Sequence, residues 1–448
     1  MSWTDNFLRA DPWRPRRLRS HQSLTFCWHG ARLADQMINP RVLMLSDVYF
    51  PRVNGVSTSI QTFRQDLAAA DVSSWLVAPR YPAAWSDDPQ TIRVSSAAVP
   101  LDPEDRAVSP RALLDACRAL ADRIDLIHIQ TPFIAHWAGV KLSRELGVKA
   151  VETYHTYFEH YLYHYAPILP RSAMQWAARK LAQTQCNAVD LVIAPSEPMA
   201  SVLRGYGVRT PIEIVGTGLD LARFEGGDGE RFRREHGIPS DRPVLLYVGR
   251  VAFEKNIEFL IDMLPFVLAE LPEVLLIIAG EGPALPALRR VVADRNLERH
   301  VTFVGYLDRD GPLLDCYRSA NAFVFASSTE TQGLVILEAM AVGTPVVSTA
   351  ALGTSALLEN QHTGAVIAPD CITDFAAAVI RVLTDRSLQR KLGEAGRHYV
   401  RTRWSSRAMA DRMIGLYRSL TGTRVQSSSA GRHCAVGASE APAERGSL

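Results

Sequence analysis

Apolar residues recur along the chain in short runs that alternate with longer amphipathic stretches. In the first half, such runs predict β-strands at residues 42–46, 74–78, 126–129, 149–153 and 191–194. The stretches between them have helical periodicity, and residues 57–70 predict a helix with Ser57 or Thr58 near its N-cap. Strands that alternate with helices predict a parallel, doubly wound sheet.

The second half of the chain repeats this alternation. Its apolar runs predict strands at residues 244–248, 274–278, 301–304, 322–325 and 345–348, and helices at 257–270, 284–294 and 406–420. Strands that are apolar throughout are typical of sheets covered by helices on both faces. Two such sheets in tandem leave a cleft between the carboxyl ends of their strands, where ligands bind in this class of fold.

The same patterns predict the domain organisation. We expect a leader at residues 1–37, an N-terminal domain at 38–215, a glycine-rich flexible or turn-rich linker at 216–241, a C-terminal domain at 242–403, a helix at 404–420 and a disordered tail at 421–448. The leader scatters Trp and Arg without a period, so we hypothesise that translation starts at Met37. A basic arm on a membrane surface is the alternative.

Composition narrows the function classes. With 49 Lys and Arg against 47 Asp and Glu, the net charge of +2 gives no global attraction for nucleic acid. The six cysteines include no Cys-x-x-Cys pair, which suits a reducing cytoplasm. All apolar runs fall short of the roughly 18 residues that span a bilayer. We expect a cytoplasmic protein whose membrane contact, if any, is peripheral at the inner face.

The most informative stretch carries two glutamates eight positions apart, Glu330 and Glu338. It follows a predicted strand, turns at Gly333 and enters a helix, so the amides of Gly333, Leu334 and Val335 lie at a helix N-terminus that favours anions. Spacing alone favours a structural role for both, with Glu330 as an N-terminal capping acid and Glu338 as a solvated helix residue.

This stretch resembles the Glu-x7-Glu signature of the retaining, GT-B-fold glycosyltransferases of family four, and the resemblance extends from about Arg41 to Leu420. It implies an α/β, GT-B fold in which two doubly wound, Rossmann-like domains face each other across a cleft. It also implies a nucleotide-diphosphate sugar as the glycosyl donor, with Glu330 contacting the sugar and Glu338 the ribose.

Three further motifs resemble parts of the same family. Gly249 and Arg250, with Lys255, match its Gly-Arg…Lys element, which implies that two cations bind the diphosphate. Gly55 matches the glycine-containing first loop, and Gly305 lies in the segment whose backbone meets the base. We therefore expect no cofactor and no catalytic metal. The Asp-x-Asp sequence at 308–310 resembles a metal-binding motif only superficially, because it lies in a predicted loop in the wrong domain for that motif.

The sequence signals for the acceptor site are less specific than those for the donor site. His155 matches the family's strand-end His-Thr element, which implies an active-site histidine that donates to a sugar hydroxyl or orients the reacting centre. His128, Tyr157 and Tyr161 are candidate acceptor residues, and many relatives have a histidine where this chain has Gln130. The aromatic-rich run at 154–165 resembles the branch that glycosylates diacylglycerol, and is equally typical of a carbohydrate-facing surface.

The following segment, residues 171–181, predicts a helix. Met174, Ala177, Ala178 and Leu181 share one face of it, which favours a core-facing stripe over a membrane-binding face.

Together these features predict a retaining, metal-independent hexosyltransferase that moves glucose or mannose from a UDP- or GDP-linked sugar to a lipid or glycan acceptor, with a lipid favoured. An epimerase, hydrolase or phosphorylase on the same scaffold is one alternative, because a fold does not fix a function. A noncatalytic partner subunit that binds only the nucleotide sugar is another. An epimerase or hydrolase would act on the sugar donor without an acceptor, and a phosphorylase would need a pyridoxal-phosphate lysine. A noncatalytic subunit would bind the sugar donor without turnover.

Overall fold

The computed structural model describes residues 39–83, 85–99, 102–157, 171–309, 311–358 and 363–422, all within one compact unit. The predicted leader and nearly all of the predicted tail lie outside the described residues. So do Tyr161 and Asp310.

The first half forms a seven-stranded parallel sheet with the strand order β3-β2-β1-β6-β7-β8-β9. Its strands are β1 Val42–Leu45, β2 Ser74–Pro79, β3 Thr91–Val94, β6 Leu126–Ile129, β7 Lys149–Thr153, β8 Leu191–Ala194 and β9 Ile212–Ile214. An antiparallel hairpin of β4 (Ser96–Val99) and β5 (Asp102–Val108) follows β3. Every residue of β1 is buried, as expected for a strand covered on both faces.

The second half forms a six-stranded parallel sheet with the strand order β12-β11-β10-β13-β14-β15. Its strands are β10 Val244–Val248, β11 Leu275–Ala279, β12 Val301–Gly305, β13 Ala322–Phe325, β14 Val346–Ser348 and β15 Ala365–Ile367. The predicted GT-B architecture of two Rossmann-like sheets is therefore confirmed.

Helices cover both sheets. Those of the first half are α1 Gly55–Ala69, α2 Pro110–Arg118, α3 Ile134–Leu146, α4 Arg171–Cys186 and α5 Glu197–Gly205. Those that follow are α6 Gly229–Glu235, α7 Ile257–Asp262, α8 Leu264–Glu270, α9 Leu285–Asp294, α10 Pro312–Ser319, α11 Leu334–Val342, α12 Gly353–Leu358, α13 Ile372–Thr384, α14 Arg386–Arg403 and α15 Ser406–Thr421. Among the described helices, none is both long and apolar enough to cross a membrane.

Two helix predictions were wrong in detail. The first helix is capped by Asn54, whose side-chain oxygen accepts a 2.8 Å hydrogen bond from the Ser57 amide, and not by Ser57 or Thr58. Asn caps helices as well as Ser does. The helix expected at 257–270 is two helices that meet at Met263, because Pro265 lacks the amide that a continuous helix needs.

The glycine-rich connection between the halves is also more regular than expected. It contains helix α6, which begins after the N-cap residue Asp228. Arg231 of this helix forms an ion pair with the buried Asp315, and Arg233 donates to the backbone oxygen of Ser319 at 2.9 Å. These contacts pack the connection onto helix α10 of the second half.

The last helix, α15, returns to the first half and packs on α1 and the first sheet. Met413, Ile414 and Tyr417 are buried there together with Met44 and Leu126. The carboxyl ends of strands from both sheets meet at one large cleft, which positions the candidate site.

Candidate functional site

The cleft between the halves has a volume of about 1710 Å³. Its walls contain eleven of the residues that the sequence singled out: Gly55, His155, Tyr157, Gly249, Arg250, Lys255, Glu330, Gly333, Leu334, Val335 and Glu338. The structure thus brings together the residues that the motifs assigned to the sugar donor, although they come from both halves of the chain.

Lys255 and Glu330 form an ion pair on the second-half wall of the cleft. Lys255 ends a short 3₁₀ turn after β10, and its Nζ lies 2.7 Å from Oε2 of Glu330. Desolvation lowers the pKa of Lys255, but the charge and hydrogen bond of Glu330, with the charge of Glu254, outweigh it and raise the pKa above its usual value. Lys255 is therefore a cation that is already oriented by the acid.

Arg250 follows Gly249 directly at the end of β10. Gly249 has a φ of 151°, a backbone conformation that favours glycine, and it turns the chain from the strand into the cleft. The buried Tyr247 hydroxyl donates to the backbone oxygen of Arg250 at 3.2 Å and so fixes the turn. This turn places a second cation on the wall that carries Lys255.

Glu338 is buried in the first turns of helix α11, with only 1 % of its surface exposed. Arg309 donates to its Oε1 at 2.5 Å, and the Tyr317 hydroxyl donates to its Oε2 at 2.8 Å. A solvated helix residue is thus excluded for this position. Arg309, which also lines the cleft, was missed from the sequence because it stands between two aspartates in a segment assessed only for metal-binding acids.

Helix α11 starts at the cleft. Its N-cap residue is Gly333, which has a left-handed φ of 98° and makes no side-chain capping bond. A helix N-terminus carries roughly half a positive charge. The first turn, with Leu334 and Val335, therefore adds a backbone anion site to the side-chain cations, and Glu330 is not a capping acid.

His155 lies just after β7 on the opposite wall. Its Nε2 lies 3.0 Å from Oε1 of Gln130, and its backbone oxygen accepts from the Thr331 hydroxyl at 2.9 Å. Burial lowers the pKa of His155 to about 4, so the ring is neutral near pH 7. Gln130 thus holds the ring. If Nε2 donates to Gln130, Nδ1 is left to accept from a ligand hydroxyl.

The loop after Glu330 crosses the floor of the cleft. Ser196 donates to the backbone oxygen of Thr331 at 2.7 Å. The Gln332 side chain bonds both the amide and the carbonyl of Thr217, at 2.8 and 2.7 Å. These bonds tie the loop that joins the two glutamates to the first half.

Two sequence assignments are not supported by the structure. His128 is 2 % exposed and does not line the cleft, because it lies inside β6 between the Tyr417 hydroxyl at 2.6 Å and the Thr153 hydroxyl at 2.7 Å. Gly305 is not on the cleft wall either. Its carbonyl accepts from the amide of Gly280 at 2.8 Å, and Tyr306 follows it into the cleft.

Within the described ranges, no three His, Cys, Asp or Glu side chains are grouped so that they could hold a metal ion. The cleft instead combines fixed cations, a helix N-terminus and oriented carboxylates. Such a site can neutralise a diphosphate at one end while carboxylates and a neutral histidine accept bonds from hydroxyl groups.

Two Rossmann-like sheets that enclose such a cleft define a GT-B glycosyltransferase. The models for "Glycosyl transferases group 1" and "Glycosyltransferase Family 4" match residues 228–399 and 53–223. The chain belongs to this family of glycosyltransferases.

Curated relatives and solved structures agree. The chain is 32 % identical to alpha-monoglucosyldiacylglycerol synthase of Streptococcus pneumoniae, over 77 % of this chain and 78 % of that protein. It is 27 % identical to a GDP-mannose-dependent alpha-mannosyltransferase of Mycolicibacterium smegmatis, over 86 % and 98 %. The sucrose-phosphate synthase of Thermosynechococcus elongatus superposes with a TM-score of 0.69 at 25 % identity, over 85 % of this chain and 99 % of that one.

Proposed function

We propose that this protein transfers a hexose, with retention of configuration, from a nucleotide-diphosphate sugar to a diacylglycerol-type lipid. The observation that carries the proposal is the convergence of Arg250, Lys255 and the start of helix α11 on the wall that also holds Glu330. Similarity to a glucosyldiacylglycerol synthase supports the lipid acceptor. Because the chain is also similar to a GDP-mannose-dependent enzyme, both UDP-glucose and GDP-mannose remain candidate sugar donors.

The chemistry that fits this arrangement is a displacement on one face of the sugar. The bond from C1 to the diphosphate oxygen breaks while the acceptor oxygen bonds to C1, and the departing diphosphate takes the acceptor's proton. The protein then has to stabilise the leaving charge and position both substrates. Arg250, Lys255 and the helix N-terminus stabilise the charge on the leaving diphosphate. Glu330 and His155 position the substrates.

We propose that the reaction needs no metal ion, because two fixed cations already face the diphosphate. Turnover should persist within about twofold in excess chelator, since fixed charges take the place of a bound cation at the leaving group. Initial rates with and without EDTA and added magnesium measure this. An absolute requirement for magnesium would contradict the proposal.

An exposed apolar and basic surface on helix α4 suits a peripheral membrane contact. Trp176 and Leu181 are 69 % and 54 % exposed, and Arg179 and Lys180 of the same helix are exposed as well. The predicted core stripe was therefore partly wrong: Met174 and Ala178 are buried, but Ala177 and Leu181 are exposed. Apolar side chains among basic ones are typical of surfaces that rest on anionic lipid.

Replacing Trp176 and Leu181 together with serine should weaken binding to phosphatidylglycerol vesicles by about tenfold or more, since two apolar side chains no longer enter the lipid. Co-sedimentation measures this. Phe266→Ser is the matched control, because Phe266 is 49 % exposed in the second half. If both variants lose vesicle binding equally, helix α4 is not a specific membrane-binding surface.

A product assay tests the function. The protein is incubated with UDP-glucose or GDP-mannose, and with diacylglycerol in vesicles or a soluble oligosaccharide pool. We expect an α-linked glycolipid, with the anomeric configuration read by NMR. If the transferred sugar appears only in a soluble product, the acceptor is a glycan and not a lipid. Sugar-donor breakdown or epimerisation without an acceptor, or binding without turnover, would refute the proposal.

A further inference from the structure

We propose that Arg309 is a positioning residue for the ribose of the sugar donor: it fixes the Glu338 carboxylate so that one acceptor position on each oxygen is left for the two neighbouring ribose hydroxyls. The inference rests on the proposed function, because it assumes a nucleotide in the cleft. Nothing in the family motifs singles out Arg309, which lies in the loop between β12 and α10.

The geometry around Glu338 carries the inference. An ionised carboxylate offers about four acceptor positions, two on each oxygen. Arg309 occupies one on Oε1 and Tyr317 occupies one on Oε2. Glu338 is buried, yet it forms part of the cleft wall. The carboxylate is thus held on both oxygens and keeps capacity on both for a ligand that presents two adjacent hydroxyls.

Arg309 supplies the charge that this arrangement needs. A buried carboxylate without a cationic partner tends to bind a proton, and it then loses acceptor capacity. The charge of Glu338 in turn raises the pKa of Arg309, so the guanidinium stays charged. The Tyr317 hydroxyl is uncharged, because burial raises the pKa of Tyr317 well above its usual value.

Other ionisable groups around this pair and helix α11 come from four elements. Tyr306 lies in the same loop as Arg309, and Cys316 neighbours Tyr317 on helix α10. On α14, Arg397 contacts the backbone oxygen of Val342 at the far end of helix α11. Arg223, from the short 3₁₀ helix Leu221–Phe224, lines the same cleft. Arg309 is the cation that the structure places directly on the Glu338 carboxylate.

The test compares ribose with deoxyribose in the full-length protein. The dissociation constants of UDP, GDP and their 2′-deoxy counterparts are measured by calorimetry. In the parent protein, loss of the 2′-hydroxyl should weaken binding about 10- to 100-fold, as for a hydrogen bond to a charged group. In Arg309→Gln the ratio should fall below about threefold, because no cation then holds the Glu338 carboxylate in place.

Two further variants separate positioning from general damage. Arg309→Lys should restore part of the ribose preference, because it returns a cation. Arg231→Gln removes an arginine from another buried carboxylate, Asp315, away from the cleft wall, and should leave the preference unchanged. An Arg309→Gln protein that keeps the full preference, or an Arg231→Gln protein that loses it, would overturn the inference.

The outcomes also separate this inference from the proposed function. If the parent protein binds the nucleotides but does not distinguish ribose from deoxyribose, the role of Arg309 fails and the transferase proposal stands. If the parent protein binds neither nucleotide, both fail.

Discussion

Replacing Lys255 with alanine should lower kcat at least ~10²-fold, because the variant loses a preorganised cation at the position where the leaving diphosphate gains charge. The loss should be large for a second reason. Glu330, which lies 2.7 Å from Lys255, is left without its cation and repels the diphosphate. Single-turnover rates with the preferred sugar donor measure the effect separately from binding.

Lys149→Ala is the matched control for Lys255→Ala. Lys149 also forms a 2.7 Å ion pair, with Asp190, but lies outside the cleft. Its removal should leave kcat within about twofold, since exposed ion pairs contribute little even to stability. A folded Lys255→Ala protein with nearly normal turnover would refute the role of this lysine.

Replacing Gly280 with alanine should cost at least ~3 kcal/mol of the free energy of unfolding, or prevent folding altogether. Gly280 has a φ of 137°, which L-amino acids rarely adopt. A Cβ atom there would stand 1.9 Å from the backbone oxygen of Gly249, so the ends of β10 and β11 would have to separate. Urea unfolding followed by circular dichroism measures the loss.

Gly55→Ala is the opposite case. A Cβ on Gly55 would meet no atom within 4 Å, and the residue begins a helix. The free energy of unfolding should therefore stay within about 1 kcal/mol of the parent value or rise, because alanine favours helix over glycine. Equal destabilisation by both substitutions would show that the close approach at Gly280 does not matter.

Apart from Val301–Gly305, the strands that the sequence predicted are buried over most of their length, whereas the missed strands β3, β4, β9 and β15 are not. Val42–Leu45 and Val244–Val248 are buried throughout, so their apolar runs were continuous. Ser96–Val99 and Ile212–Ile214 are half-buried or exposed strands at the margins of the fold. Their short polar or mixed patterns do not differ from those of loops.

In the site, residues that directly follow strands could be predicted, but long-range partners could not. Lys255, Glu330 and His155 come after buried strands, and parallel strands deliver such residues to one edge. His128 looked equivalent, but it lies within its strand. Its partner Tyr417 is 289 positions away, a separation that no local pattern reveals. The Arg309–Glu338 pair joins a loop to helix α11 in the same way.

The return of the last helix to the first sheet has a consequence for biosynthesis. The first sheet ends at Ile214, but the helix that closes one side of it spans Ser406–Thr421. At about 5–20 residues per second, the ribosome needs roughly 10 to 40 s to bridge that interval, during which the nascent chain exposes an unfinished apolar face. A premature stop before Ser406 would spare every residue of the cleft and still yield a chain that proteases remove.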